Sequence, residues 1–452
     1  MPPCLPQMVP MTLLPCAALR KPLALLTAAT SVVLAAGLIC GCSGPVPVSP
    51  PAALRSPAAD WTAPAVGPTP SPSQPLPTAG PGSAAGTATP SKVAHWGAFF
   101  GGEPGEHDLL ASPATVTVPG TIAEIGTSNS TQYALLTDGR LYAWGMGSRG
   151  QLGDGRKVNS FTHAAQVRFP PGVKIAWIPT DVMPYDTGLA VDTNGNVWGW
   201  GQNGGGELCT GKRRAYLSPV LVPVGPVTAV AGASNHALYD ASGTVYACGQ
   251  NTAGSLGDGS YHGSDRPVRV SGLDGSAVTQ LVASFANSGA LLADGEYFDW
   301  GYNADGQLGN GTAGRPSDVP VRVHLRDPVK QVAQGGSIWG NGQTLVQLSD
   351  GSVWAWGDNY ACQLGVSGYG YRDRPVPVRP PPGVRFRSLA TGSATSYAIS
   401  TTGDVYAWGA SQFGQIGNGL AMNICQPARI LTGTSHISAT ANNVAVSLAD
   451  SN

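Results

Sequence analysis

The chain has 452 residues, of which only 11% are charged, with 62 glycines, 39 prolines and a formal net charge of -1. That balance argues against long helices and leaves no general electrostatic footprint for nucleic acid; the one dense basic run, Lys212-Arg213-Arg214, reads as a solvated turn. Many short strands joined by tight turns suit it better, in two or three ordinary domains or in one large repeat architecture.

The first element in chain order is an export signal. Arg20 and Lys21 precede an apolar run over residues 23–39, which ends in Leu38-Ile39-Cys40-Gly41-Cys42. An aliphatic residue, small residues and a cysteine in that order resemble a bacterial lipobox. Residues 1–41 are therefore expected to be a lipoprotein signal peptide, with Cys42 lipidated on the extracytoplasmic face of the cell membrane; a plain signal peptide or a short membrane anchor is the alternative, since the run is near the lower limit for a span. Met8 and Met11 offer later starts. Residues 42–91 are mostly Pro, Ala, Ser, Thr and Gly, with few bulky residues and Trp61 as their only aromatic, too little apolar surface to fold. At about 3.1 Å per residue in polyproline II form, this stalk reaches on the order of 100 Å.

From residue 92 the chain repeats. Thr137-Asp138-Gly139-Arg140-Leu141-Tyr142-Ala143-Trp144-Gly145 and Ser349-Asp350-Gly351-Ser352-Val353-Trp354-Ala355-Trp356-Gly357 are the clearest copies, and the glycine after the aromatic recurs at 97, 145, 201, 249, 301, 357 and 409. The mean spacing is 52 residues, the size of a propeller blade. A second signature follows in step: Gly150-Gln151-Leu152-Gly153, Gly254-Ser255-Leu256-Gly257, Gly306-Gln307-Leu308-Gly309 and Gly414-Gln415-Ile416-Gly417. Within Val405-Tyr406-Ala407-Trp408, rings and small residues alternate, so each strand has a ring face that can pack on a neighbour's small face.

These linked motifs resemble the repeat of the RCC1 (regulator of chromosome condensation) family over residues 92–452. The resemblance implies an all-β, seven-bladed propeller of four-stranded blades. Closure is legible at the termini. Val444-Ala445-Val446-Ser447-Leu448-Ala449-Asp450 matches Ala290-Leu291-Leu292-Ala293-Asp294 and stops where the next strand belongs, while Ser91-Lys92-Val93-Ala94-His95-Trp96-Gly97 matches that strand. The N-terminal segment is thus expected to complete the C-terminal blade and leave no open edge.

Four cysteines remain in the mature chain: Cys209, Cys248, Cys362 and Cys425. They are even in number, as two bridges require, but Cys209 and Cys362 stand at motif glycines and Cys248 at the motif tryptophan, so a small buried side chain is the favoured role.

With the third repeat's strands read at 220–223, 227–231, 236–239 and 244–248, antiparallel parity puts the turns at 225–226 and 242–243 on one rim. The turn at 232–235 and the long motif loops lie on the other. The first rim carries uniform Asp-Gly-type turns, and variation gathers on the second. Its aromatic candidates for protein binding are Phe99 and Phe100 in the first long loop, Tyr185, Phe285 and Trp339. Catalytic signatures are thin. Gly145 to Gly150 matches a dinucleotide pattern with no helix expected after it, Gly206 to Lys212 lacks the Ser or Thr of a Walker loop, and Glu103, Glu106, His107 and Asp108 read as a solvated acidic loop. No catalytic residue, metal site or cofactor is assigned. The expected function is that of a monomeric protein-binding module, meeting a cell-envelope or external protein and touching the membrane only through its lipid. Inhibition of β-lactamase or penicillin-binding enzymes is the alternative, because a secreted bacterial β-lactamase inhibitor of this fold is similar in its Trp-Gly repeats; cell-wall glycan binding ranks below it. The guanine-nucleotide exchange of the family's eukaryotic archetype is disfavoured by export and by the lack of room for a wedge insertion.

Overall fold

The computed structural model describes residues 90–100, 107–179, 186–233, 235–336, 342–440 and 443–448, with backbone alone at 98–100 and 107–111. The expected signal peptide, Cys42 and nearly all of the expected stalk lie outside the described residues. The strands, numbered β1 to β28 in chain order, form seven four-stranded antiparallel sheets.

The third blade shows the plan. β11 (Ala229–Ala233), β12 (His236–Ala241), β13 (Thr244–Gly249) and β14 (Ser264–Arg269) pair in chain order, with β12 and β13 in register from His236↔Gly249 to Ala241↔Thr244. The β13–β14 ladder then slips between Ala247 and Gly249. A glycine is required at that break: Gly249 has φ 120°, and a Cβ there would lie 2.1 Å from the Asn235 carbonyl oxygen. The same slip follows the third strand in the six other blades, which explains why Trp-Gly is the most regular part of the repeat.

One strand expected in the third blade belongs to the second. β10 (Tyr216–Leu221) pairs with β9 (Val197–Gly201), because the long motif loop folds back as a hairpin and returns its strand to the sheet it left. Loop parity is unaffected, so the rim assignment stands.

The seventh blade is composite, in the order β2-β1-β28-β27. β1 (Ser91–Phe100) pairs with β28 (Asn443–Leu448) from Val93↔Ser447 to Gly97↔Asn443, and β27 (Thr434–Thr440) pairs with β28 on its other side. The N-terminus supplies two strands rather than one, since β2 (His107–Val118) pairs with β1 as the outer strand.

Burial follows the ring-on-small alternation. Seven apolar clusters each straddle one blade interface. Tyr406 and Trp408 of the sixth blade pack with Leu345 and Ala355 of the fifth, while Val405 and Ala407 on the opposite face pack with Trp96 of the seventh. Six tryptophans, Trp96, Trp144, Trp200, Trp300, Trp356 and Trp408, are fully buried this way. No blade has a core of its own; stability resides in the interfaces, and the circle must close to complete them.

Candidate functional site

The long loops join each third strand to its outer strand, and their geometry explains the second motif. The asparagine two residues after Trp-Gly ties the loop to itself: Asn251 Oδ1 accepts the Leu256 amide at 2.8 Å and Asn359 Oδ1 the Leu364 amide at 3.0 Å, while their Nδ2 groups donate to the Ser260 and Gly368 carbonyls at 2.9 and 2.6 Å. The next blade then clamps it. Trp200, Trp300, Trp356, Trp408 and Trp96 each donate from Nε1 to the carbonyl of the motif's second residue in the preceding blade, at 2.8 to 3.0 Å. The motif's last glycine lies under that ring, where a Cβ at Gly309 would meet Trp356 at 2.6 Å. These loops are therefore rigid supports, suited to holding tip residues at low entropy cost.

The cysteines depart from expectation: they form two disulfides, Cys209–Cys248 and Cys362–Cys425, with Cα separations of 5.5 and 4.6 Å. The same geometry gives the reason. Cys209 holds the last-glycine position and Cys248 the tryptophan position of the next blade, two sites in direct contact at five other interfaces. Cys362 holds the first-glycine position, which elsewhere presses on the next blade's outer strand, as Gly306 does on Asp373; Cys425 stands on the sixth blade's outer strand. Each bridge replaces a close contact between blades. Cys209 and Cys362 keep the positive φ of the glycines they replace, at 55° and 68°.

Of the aromatic residues expected to bind a partner, the structure places Phe285 half-buried in the turn 284–286 on the loop rim. Phe99 and Phe100 are not in a loop: they extend β1, opposite Asp108 and His107, because the hairpin to β2 continues past the ladder slip at Gly97. Tyr185 and Trp339 lie outside the described residues, as do Met183, Glu103 and Glu106. The exposed side chains that sequence reasoning missed are on the motif loops themselves. Tyr360 is 61% exposed, Tyr369 73%, Tyr371 43%, Leu420 55% and Met422 68%, all on the loops or the adjoining strand end of the fifth and sixth blades. Tyr360 breaks the motif at a position where the sister loops carry Ser148, Gly204, Thr252, Ala304 and Gln412.

Among the described residues no group of His, Cys, Asp or Glu has metal-binding geometry, and Gly145 to Gly150 runs from the end of a strand into a motif loop with no helix after it. Carboxyls withdrawn from water, Glu207 fully and Glu124 in part, instead replace glutamines of the repeat. Glu207 stands where Gln151, Gln307 and Gln363 stand, and Glu124 where Gln280 stands. Gln280 both accepts the Val332 amide and donates to the Val332 carbonyl, at 3.0 and 2.7 Å; Glu124 accepts the matching Ile178 amide at 2.8 Å and, when ionised, has no proton to donate. Burial pushes both carboxyls up to about 7. A carboxyl raised in the folded state stabilises below its unfolded pKa, near 4.5, and loses that contribution as pH rises through about 7. Glu207→Gln should therefore raise stability at pH 8 by up to about 3 kcal/mol and leave it nearly unchanged at pH 4, with a smaller gain for Glu124→Gln. Denaturant titrations at the two pH values check this, and equal gains at both would count against burial as the cause.

Residues 138–184, 194–239, 242–290, 294–338 and 350–399 match the family described as the regulator of chromosome condensation (RCC1) repeat, and 386–415 match a second description of that repeat. Human E3 ubiquitin-protein ligase HERC2 is 28% identical over 303 residues, which cover 65% of this chain but only 6% of that protein. The mitochondrial RCC1 domain-containing protein RUG3 of Arabidopsis thaliana is 28% identical over 319 residues, 64% of this chain and 70% of that one. The ultraviolet-B receptor UVR8 of the same plant is 27% identical over 285 residues, 62% of each. Two solved structures share the fold at 20% identity and TM-score 0.68: human WBSCR16, over 79% of this chain and 99% of that one, and yeast Prp20p, over 80% and 92%. With the repeat matched over more than half of its length, and its closure and loop clamps in place, the chain belongs to the RCC1 repeat family.

Proposed function

We propose that this chain is a lipid-anchored, extracytoplasmic propeller whose loop rim binds another protein of the cell envelope. The observation that carries the reading is the group of tyrosine, leucine and methionine side chains left 55 to 73% exposed on clamped loops of two neighbouring blades. A soluble fold that buries six tryptophans has no packing reason to leave them in water. Protein binding also fits the described relatives: yeast Prp20p is studied for its binding to Gsp1p and histones, and yeast RCC1 is seen bound by Kap60. Two disulfides support an oxidising compartment, in agreement with the signal and lipobox at residues 1–42.

A photocrosslinking residue at Tyr369 should give one discrete adduct in living cells, and the same residue at Asp350 on the opposite rim should give none. Adducts of equal yield from both sites, or from neither, would refute the assignment. Once the partner is in hand, Tyr369→Ser and Met422→Ser should each cost about 2 kcal/mol of affinity without lowering the melting temperature. Palmitate labelling tests the anchor: the chain should take up label, and Cys42→Ala should abolish it. A β-lactamase inhibition assay distinguishes an enzyme partner from other envelope proteins.

A further inference from the structure

The loop rim is divided into two arcs of different chemistry, and we propose that its partner is an acidic protein segment, apolar at its centre and flanked by carboxylates. This rests on reading the rim as a protein-binding surface. Residues 359–370 and 410–423, the motif loops of the fifth and sixth blades, contain no Asp, Glu, Lys or Arg, and they present the exposed Tyr360, Tyr369, Leu420 and Met422. The motif loops of the first two blades, 146–159 and 202–215, are basic instead. Their two acids, Asp154 and Glu207, are buried. Arg156 is paired with Asp154 at 2.6 Å and Arg149 with Asp186 at 2.8 Å. That leaves Lys157, Lys212, Arg213 and Arg214 exposed, with no ion pair to any of them among the described residues. The two loops adjoin: the Gly155 amide donates to the Leu217 carbonyl at 3.0 Å, and the Arg214 guanidinium lies over the Tyr216 ring beside it.

On the opposite rim Asp138 is paired with Arg140 and Asp350 with Arg326. The unpaired cations of the first two motif loops give that arc a positive charge. Such charge steers an oppositely charged partner, while the apolar contact holds it. A polyphosphate or a nucleic-acid duplex would use the cations alone and leave the uncharged arc in water. A carboxylate-flanked apolar segment lying across the propeller face uses both.

Selection of a random peptide library on the immobilised full-length chain tests this. The enriched peptides should carry an excess of Asp and Glu around one or more aromatic or aliphatic residues. Their affinity should fall roughly tenfold or more with Lys212→Glu plus Arg213→Glu, and separately with Tyr369→Ser plus Met422→Ser. The basic-arc contribution should weaken with added salt and the apolar one should not. All four side chains are exposed, so the melting temperature serves as a folding control. No enrichment, enrichment of neutral or basic peptides, or insensitivity to either pair of substitutions overturns the proposal. So does binding to phosphatidylglycerol vesicles that depends on the basic arc alone. A Tyr369 crosslink to a partner without acidic residues at the contact would overturn this inference and leave the rim assignment intact.

Discussion

Removing residues 1–98 should abolish the native fold, whereas removing residues 1–90 should leave the melting temperature where it is. The longer deletion takes Ser91 to Ala98, the whole stretch of β1 that pairs with β28, and leaves β28 with an open edge. It also removes Val93 and Trp96, both fully buried, from the two interfaces that flank the seventh blade. Loss of one such ring costs about 3 to 5 kcal/mol, against a typical total stability of about 5 to 15. Trp96 Nε1 is also the donor that clamps the sixth-blade loop through the Gln415 carbonyl at 2.8 Å. Trp96→Ala in the full chain should lower the melting temperature by several degrees at least, which keeps the test meaningful if the longer deletion cannot be produced. Equal melting temperatures for the two deletions would show that the circle does not close through β1.

Breaking the Cys209–Cys248 bridge should cost about 4 kcal/mol, the loop-closure value for cysteines 39 residues apart, and a similar figure holds for Cys362–Cys425 at 63. The informative experiment exchanges chemistry at the first bridge. Cys248→Trp alone should be poorly tolerated, because a side chain at 209 would press on the new ring, as a Cβ at Gly153, Gly257 or Gly309 would press on Trp200, Trp300 or Trp356 at 2.6 to 2.9 Å. Cys209→Gly alone loses the bridge. The double variant restores the pair used at five other interfaces and should recover most of the lost stability without a disulfide. Chemical denaturation of the four proteins gives the coupling, and additive effects of the two substitutions would mean that the sites are not equivalent to the Gly–Trp contact.

Much of the architecture was legible because a propeller writes its period into its sequence. The turn, the ring-small alternation and the Trp-Gly slip each impose a local requirement, so seven blades and a composite closure followed from aligned glycines and from the match of Ser91 to Gly97 with the strand expected after Asn452. Rim parity followed as well, since it depends only on the alternation of strand direction. What stayed hidden depended on contacts between one repeat and the next. The strand expected at 220–223 in the third blade is the end of β10 in the second, because sequence order does not say whether a strand after a long loop pairs backward or forward. The cysteines looked like isolated small residues until the loop of one blade was seen beneath the tryptophan of its neighbour, some fifty residues away along the chain. The exposed Tyr360, Tyr369, Leu420 and Met422 were passed over for Phe99 and Phe100, which extend a strand. The sequence by itself determined the repeat, its number and its closure, because these are set by backbone requirements local to each blade. Only the tertiary structure decided which cysteines bond and which aromatics meet water, because both are settled across interfaces that no single repeat contains.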